Sequence, residues 1–229
     1  LVRPPGHHAT ATRPMGFCLL GTAAVGAAAA LAQGASRVAI VDVDVHHGNG
    51  TQEIFWRDPR VLYVSIHQWP WYPYYTGALE ETGEGPGEGA NVNVPLPAGS
   101  GDAAYLAAID RVVAPAVRAF GPGLLIVSAG YDAHGADPLS STEVTTDGFA
   151  AIASRLAALG EEACGGRICM TLEGGYDLEG LSSSFVATME VLAGRQPPPA
   201  PDRERLVPGD HAGLAVEKAE AFHARRLQP

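Results

Sequence analysis

The sequence predicts an α/β fold with a mostly parallel central sheet. Five apolar segments bounded by turn residues have the length and β-branched content of strands buried on both faces, and helical patterns separate several of them. Chemically reactive side chains directly follow four of the five segments. Parallel sheets place their ligands beyond the carboxyl ends of the strands, so this recurrence predicts a functional site at that edge.

The predicted strands and helices alternate along the chain. The strands cover residues 37–44, 60–67, 90–96, 123–130 and 167–174. Helical patterns cover residues 16–33, 101–120 and 145–164, and a short amphipathic helix is predicted at 212–227. Alternation of this kind is typical of parallel sheets, because each crossover between parallel strands needs a long connection that is usually a helix.

Two segments fall outside this alternation. Residues 68–89 form a long loop rich in aromatic residues, Gly and Pro, and a loop of that length inside a compact domain is usually functional or disordered. Its cluster of Trp and Tyr between 69 and 75 favours an ordered wall of a site. The composition becomes Pro-rich after residue 194. We therefore divide the chain into a domain at 1–194 and a linker with a short helix at 195–229.

Composition argues against several kinds of partner. The net charge of −10 disfavours nucleic acid, whose phosphates need clustered Lys and Arg, and would suit a cationic substrate better. Cys18, Cys164 and Cys169 lack metal-type spacing, so we expect free thiols and a cytoplasmic location. The apolar segment 16–32 is shorter than the roughly 20 residues that span a bilayer, and we expect no membrane partner.

Two aspartates and a histidine at the end of the first strand have the pattern of a metal site. Along an extended segment side chains alternate between faces, so Asp42, Asp44 and His46 would project to the same side. Asp44 and His46 can bind one ion, and Asp132, at the end of the fourth strand, is the best-placed third ligand. Two carboxylates and one imidazole leave a coordination position open, which indicates a catalytic site, and zinc is the first choice of metal.

Five motifs, taken in order along the chain, resemble one enzyme family. They are RPPGHHA at 3–9, GFC at 16–18, DVDVHHGNGTQ at 42–52, AGYDAHGADPL at 129–139 and LEGGYD at 172–177. Together they resemble the zinc-dependent histone deacetylase family, and within it the bacterial deacetylase-like amidohydrolases and the acetylpolyamine amidohydrolases. The resemblance implies a three-layer arginase/deacetylase-like fold. It also implies that an N-terminal part of the domain is missing, because the family's catalytic domain usually begins well before the paired histidines.

The resemblance implies a role for each residue at the metal. The ligands of one zinc ion per chain would be Asp44, His46 and Asp132. The ion would polarise the acyl carbonyl and acidify the attacking water. His7 and His8 would transfer protons, and Asp42 would orient His7 and raise its basicity. His8 has Asn49 where some relatives carry an aspartate, which should leave this histidine less basic.

The resemblance also implies how the acyl group would bind. Tyr176 would hydrogen-bond the oxyanion, and its retention in this sequence supports a working deacetylase. The other substrate-binding residues would be Gly16, Phe17, Tyr72, Leu139, Gly174 and Gly175. Among them, Phe17 and Tyr72 would be two aromatic walls of a narrow tunnel, which selects an extended aliphatic chain and excludes bulk water.

Monovalent cations are a further feature implied by the resemblance, since the family binds them through backbone carbonyls. A potassium ion close to the zinc would be held by Asp42, Asp44, His46, Ser65 and Ile66. A second potassium ion would be surrounded by Phe55, Asp58, Val61 and Ala90.

The sequence as a whole predicts a zinc-dependent amidohydrolase that deacetylates acetyl-lysine or acetylated polyamines, presented as small molecules or peptides. The long aromatic loop resembles that of the polyamine enzymes, in which such loops accompany homodimers. Two alternatives stay open: a non-catalytic acyl-amine binding module or inactive truncated paralogue, and a two-manganese ureohydrolase such as arginase. The second alternative is weaker, because its extra carboxylate ligands would have to occupy the positions of Gly48 and His134.

Overall fold

Five parallel strands form the centre of the protein, for which a computed structural model describes residues 4–197 and 209–225. The strands are β1 (Val38–Asp42), β2 (Val61–Gln68), β3 (Asn91–Leu96), β4 (Leu124–Ala129) and β5 (Ile168–Leu172). The helices are α1 (Thr22–Ala32), α2 (Asn49–Phe55), α3 (Asp102–Ala108), α4 (Ala114–Phe120), α5 (Thr146–Cys164), α6 (Leu178–Leu192) and α7 (His211–Ala224). Each predicted strand is present, with ends that shift by one or two residues.

The order of the strands explains where a ligand can bind. The order is β3-β2-β1-β4-β5, and every neighbouring pair is parallel. The chain moves outward from β1 through β2 to β3, and then crosses back to place β4 on the other side of β1. The crevice between the carboxyl ends of β1 and β4 is therefore a topological switch point, where open α/β sheets bind their ligands.

Helices cover both faces of the sheet. On one face, α1 and α2 pack against side chains that include Val38, Ile40 and Tyr63. On the other face, α3, α4, α5 and α7 pack against the alternate side chains, among them Ala39 and Val41. Burial of the strands on both faces accounts for their continuous apolar runs. The three layers of helix, sheet and helix confirm the predicted fold class.

The first helix is shorter than the sequence indicates. The prediction was 16–33, whereas α1 begins at Thr22. Gly16 and Phe17 have φ angles of 54° and 64°, in the left-handed region that an α-helix of L-residues does not contain. The segment before α1 is therefore a turn, and it leaves Phe17 70% exposed. No helix in the described part of the chain is both long and apolar enough to cross a membrane.

The predicted helix at 101–120 is interrupted. Its two halves are α3 and α4, and Ile109–Val113 between them is a π-helical segment. Pro115 has no amide hydrogen to donate to the preceding turn, so the hydrogen-bond ladder shifts near it. Helices α2 and α6 were not predicted from the sequence. The carboxylate of Asp177 caps α6 by accepting a hydrogen bond from the amide of Gly180 at 2.7 Å.

The last helix packs against the edge of the sheet. Val216 and Ala219 of α7 are buried in the same core as the strands, and His223 Nε2 donates to the carbonyl oxygen of Asn93 at 3.0 Å. Helix α7 therefore shares a hydrophobic core with residues before 194. Most of the predicted Pro-rich linker, residues 198–208, lies outside the described residues, and the division of the chain at 194 stays a prediction.

Candidate active site

Three potential metal ligands meet at the switch point. Asp44 and His46 follow β1, and Asp132 follows β4. The Nδ1 atom of His46 lies 3.1 Å from Asp44 Oδ1 and 3.1 Å from Asp132 Oδ2. One potential donor atom from each residue lies within 4.8 Å of the others, and all three residues are buried. The structure thus brings together the three side chains that the sequence predicts as a ligand set.

Backbone amides and glycines hold the two carboxylates in this position. The amide of Gly174 donates to Asp44 Oδ2 at 2.8 Å, and the amide of Val45 donates to Asp132 Oδ1 at 3.1 Å. A Cβ atom on Gly174 would lie 1.9 Å from Asp132 Oδ2, and one on Gly130 would lie 2.2 Å from Asp44 Oδ2. Only glycine allows the backbone this close to the two carboxylates.

The electrostatics of the cluster favour a cation. Burial and the charge of Asp44 raise the pKa of Asp132 to about 6. Burial by itself would raise the pKa of Asp44, but the charge of His7 and the hydrogen bond from His46 lower it. Burial lowers the pKa of His46, whereas its hydrogen bonds to both carboxylates raise it, to about 10. A cation among these donors would offset the repulsion between two buried carboxylates, and this donor set is one that zinc accepts.

The paired histidines lie beside the cluster, with their ring centroids 4.1 Å apart. His7 Nδ1 is 2.9 Å from Asp42 Oδ2, and His7 Nε2 is 3.7 Å from Asp44 Oδ1. His8 Nδ1 is 2.8 Å from Asn49 Oδ1. Burial lowers the pKa of His7, but the charges of Asp44 and Asp42 raise it well above its usual value. Burial and the charge of His7 lower the pKa of His8 well below its usual value. The surroundings therefore make His7 the more basic of the two imidazoles and His8 the less basic.

Two buried residues that the sequence analysis missed support this pair. Glu173 Oε2 accepts hydrogen bonds from the amides of Gly6 at 2.6 Å and His7 at 3.0 Å. The Tyr63 hydroxyl donates to Asp42 Oδ2 at 2.9 Å. Glu173 directly follows β5, so its position at the carboxyl edge of the sheet is the signal that could have identified it. Tyr63 lies inside an apolar strand, where no sequence signal separates it from a core residue.

An apolar cleft of about 570 Å³ opens onto the cluster. It is lined by His8, Gly16, Phe17, His46, Trp71, Tyr72, Tyr74, Pro138, Leu139 and Tyr176. The ring of Tyr72 contacts that of His8 at a centroid distance of 5.0 Å, and the rings of Phe17 and Tyr176 lie 5.8 Å apart. Most residues predicted to contact the acyl group therefore line this cleft, together with two further aromatic residues of the long loop.

Gly174 and Gly175 occupy a different position from the other predicted substrate contacts. Gly174 packs against the carboxylates of Asp44 and Asp132. Gly175 has a φ of 130°, and a Cβ atom there would lie 3.0 Å from Leu181 Cδ1. Neither glycine is among the residues that line the cleft. Their observed contribution is to let the segment after β5 turn closely behind the carboxylates.

The residues predicted to bind potassium lie on neighbouring strands and loops. Asp42 of β1 is in parallel register with Ser65 of β2, which Ile66 follows. At the second predicted site, the carbonyl oxygens of Phe55, Asp58 and Ala90 already accept backbone hydrogen bonds. Both potassium sites stay predictions.

Comparison with known proteins agrees with this geometry. The profile of the Histone deacetylase domain family matches residues 1–192. "Histone deacetylase 10, chloroplastic" of Oryza sativa subsp. japonica is 47% identical over 98% of this chain and 52% of its own length. A "Probable deacetylase" of Archaeoglobus fulgidus is 48% identical over 79% of this chain and 50% of its own length.

A solved structure gives the same result for the fold. The crystal structure of an HDA15 HD domain matches with a TM-score of 0.86 at 44% identity, covering 98% of this chain and 60% of that chain. The chain spans about half the length of these two relatives from Oryza sativa and Archaeoglobus fulgidus. The fold is the arginase/deacetylase fold that the sequence predicts, and the chain belongs to the histone deacetylase domain family.

Proposed function

We propose that this protein is a zinc-dependent deacetylase that hydrolyses the amide of acetyl-lysine or of acetylated polyamine-type substrates. The observation that carries the proposal is the convergence of Asp44, His46 and Asp132 at an apolar cleft, beside two histidines of opposed basicity. The names of the relatives, which include histone deacetylases and a probable deacetylase, support the same reaction class.

Asp44, His46 and Asp132 would hold the zinc ion. When bound, the ion supplies Lewis acidity to the acyl carbonyl and to a water molecule. Three protein ligands would leave a coordination position for water or substrate, as in catalytic zinc sites. The cleft, which His46 lines, would give a substrate access to these residues.

The histidines of the chain would handle the protons. His8 is suited to take a proton from water at Nε2, because burial favours its neutral form and Asn49 Oδ1 can accept a hydrogen bond from Nδ1–H. His7, held by Asp42, is suited to give a proton to the departing nitrogen. The water oxygen bonds to the acyl carbon, the carbon–nitrogen bond breaks, and the amine leaves with the added proton.

The walls of the cleft would orient the substrate. The Tyr176 hydroxyl would donate a hydrogen bond to the oxygen that becomes negative as water adds. Phe17 and Tyr72 would cover the aliphatic stem of the acyl-amine and keep bulk water away from the reacting bond. A stem without bulky branches fits such a cleft, which suits the side chain of acetyl-lysine and a linear polyamine equally.

The test compares an acetyl-lysine peptide with acetylputrescine, using the zinc-loaded protein and a chelated control. We expect acetate release that the chelator abolishes and added zinc restores, and the faster substrate identifies the physiological class. Binding without turnover, together with no effect of Tyr176→Phe, would instead favour a non-catalytic acyl-amine binding module.

A two-manganese ureohydrolase is the weaker alternative. Its second metal would need ligands at residues 48 and 134. Position 48 is a glycine, and the His134 ring stacks against Phe149 while its Nδ1 accepts from the amide of Ala136 at 3.1 Å. Two tightly bound manganese ions per chain would nevertheless favour it over the deacetylase.

A further inference from the structure

One buried carboxylate, that of Asp137, joins the loops that line the cleft. Asp137 is only 6% exposed. Its Oδ2 accepts hydrogen bonds from the amides of Tyr176 at 2.6 Å and Asp177 at 3.1 Å, and its Oδ1 accepts from the amide of Leu139 at 3.0 Å. The Trp71 indole donates to the carbonyl oxygen of Leu139 at 2.9 Å. A continuous hydrogen-bonded chain therefore links the long aromatic loop, the loop after β4 and the loop after β5.

These three loops are distant in the sequence but adjacent at the cleft. Asp137 and Tyr176 are 39 residues apart, and Trp71 and Leu139 are 68 residues apart. Trp71, Leu139 and Tyr176 all line the cleft. No covalent constraint fixes their separation, so it depends on the contacts that the loops make with one another. Hydrogen bonds to a carboxylate are shorter and stronger than those between neutral groups, so Asp137 is suited to hold these loops together.

The segment that carries Tyr176 has a particular need for such an anchor. It follows Gly174 and Gly175, two residues without a Cβ atom, and Gly175 has a φ of 130°. Glycine leaves the backbone freer than any other residue. The hydrogen bonds that the successive amides of Tyr176 and Asp177 donate to Asp137 hold the segment directly after these two glycines in place.

We propose that Asp137 is a positioning residue that sets the distance between the Tyr176 hydroxyl and the predicted metal ligands. Asp137 contacts no reacting atom and acts through the backbone of Tyr176. The assignment rests on the proposed function, in which Tyr176 stabilises the oxyanion. No feature of the five motifs indicates this role in advance, because the partners of Asp137 are backbone amides.

The variant Asp137→Asn tests the role with almost no change in size. Both oxygens of Asp137 accept hydrogen bonds from backbone N–H groups. The side chain of Asn has only one oxygen, so its NH₂ group must face one of these N–H donors, and that hydrogen bond is lost. Asp102→Ala is the matched control, because Asp102 is a buried carboxylate, 3% exposed, that accepts from the amide and hydroxyl of Thr145 at 2.7 Å each. Thr145 caps α5 and does not line the cleft.

The first measurement follows the position of Tyr176 without any turnover. The chain contains seven tyrosines, so 3-fluorotyrosine labelling gives seven ¹⁹F signals, and Tyr176→Phe identifies the one from Tyr176. We expect Asp137→Asn to move or broaden this signal and Asp102→Ala to leave it in place. An unchanged Tyr176 signal in Asp137→Asn, or an equal change in both variants, would overturn the proposal. The ¹⁹F signal reports the position of Tyr176 whether or not the protein is active. If the protein hydrolyses no acetyl-amine, that result refutes the proposed function and not the positioning role of Asp137.

The second measurement is a double-mutant cycle on the zinc-loaded protein. A misplacement of about 1 Å can cost on the order of 100-fold in rate, so we expect Asp137→Asn to lower kcat about 10- to 100-fold with unchanged zinc content and little change in KM. In the Tyr176→Phe background the same change should cost less than about twofold, because the group being positioned is absent. Equal effects in both backgrounds would contradict the assignment. If Asp137→Asn does not fold, Asp137→Ser replaces it in both measurements.

Discussion

The Nδ1 atom of His7 lies 2.9 Å from the Oδ2 atom of Asp42, and both side chains are buried. The carboxylate accepts the hydrogen on Nδ1 and thereby leaves Nε2 directed toward the predicted metal ligands, where Asp44 Oδ1 is 3.7 Å away. The tautomer of His7 is therefore set by Asp42, as the orientation of catalytic imidazoles commonly is.

We expect Asp42→Asn to lower kcat/KM about 10- to 100-fold, because an amide can present its NH₂ to His7 and favour the wrong tautomer. Steady-state kinetics on zinc-loaded protein measure the effect. Tyr63→Phe is the control, because it removes a different hydrogen bond to the same Asp42 oxygen and keeps the one between Asp42 and His7. If Tyr63→Phe lowers kcat/KM as much as Asp42→Asn does, the effect does not depend on the hydrogen bond between Asp42 and His7, and this prediction is wrong.

Gly174→Ala should weaken zinc binding. The added Cβ would lie 1.9 Å from Asp132 Oδ2 and 2.7 Å from Asp44 Oδ2, so at least one carboxylate must move. Gly26→Ala is the control, because a Cβ at that position of α1 would meet only Ile126 Cδ1, at an ordinary 3.5 Å. Zinc content after dialysis, by elemental analysis, should fall in the first variant and stay equal to wild type in the second. Full zinc retention by Gly174→Ala would contradict the close packing of Gly174 against the two carboxylates.

Tyr176→Phe should reduce kcat about 100- to 1,000-fold, the usual cost of removing one hydrogen-bond donor to an oxyanion. Zinc content should not change, because Tyr176 is not a ligand. Tyr74→Phe serves as the control, since Tyr74 lines the same cleft but is 65% exposed. A kcat for Tyr176→Phe within about threefold of wild type would remove this tyrosine from the proposed reaction.

The folded protein should lose stability as pH falls from about 6.5 to about 4, partly through His67. Burial lowers the pKa of His67 to about 4, and its Nε2 donates to the carbonyl oxygen of Gly77 at 2.9 Å. The unfolded chain, in which histidine has a pKa of about 6.5, then binds the extra proton first. The contribution of His67 to the free energy of unfolding is fully present above pH 6.5. It falls by about 1.4 kcal/mol per pH unit below that, or about 3 kcal/mol by pH 4.

Urea unfolding across this pH range, with excess chelator present, checks the contribution of His67. His67→Gln has no proton to gain, so its free energy of unfolding should depend less steeply on pH than that of wild type. Identical slopes for the two proteins would show that His67 does not titrate in this range.

The convergence of Asp44, His46 and Asp132 could be predicted from the sequence because their positions follow from topology. Asp44 and Asp132 each come directly after a buried parallel strand, and parallel strands end at one edge of a sheet. Side-chain alternation along an extended strand does not place Asp44 and His46, since β1 already ends at Asp42. Asp44 and His46 therefore lie in the loop, where amides such as that of Gly174 hold them in place.

Other parts of the site depend on contacts that leave little trace in sequence. Phe17 reaches the cleft because the backbone there is left-handed, and the apolar composition of 16–32 indicated a helix instead. Glu173 and Asp137 act on backbone amides as many as 167 and 40 residues away. Backbone partners have no residue identity to read, so the hydrogen bonds of these carboxylates cannot be predicted from the sequence. The position of Glu173 directly after β5 indicates only that it lies at the same edge of the sheet.

The most direct test of the account is the metal content of the purified protein after zinc loading and dialysis, measured for wild type and for Asp132→Ala. Asp102→Ala serves again as a control for the loss of a buried carboxylate elsewhere in the fold. The account predicts one zinc ion per chain in wild type and in Asp102→Ala, and none in Asp132→Ala, because two remaining ligands rarely retain zinc. Stoichiometric zinc in Asp132→Ala would contradict it.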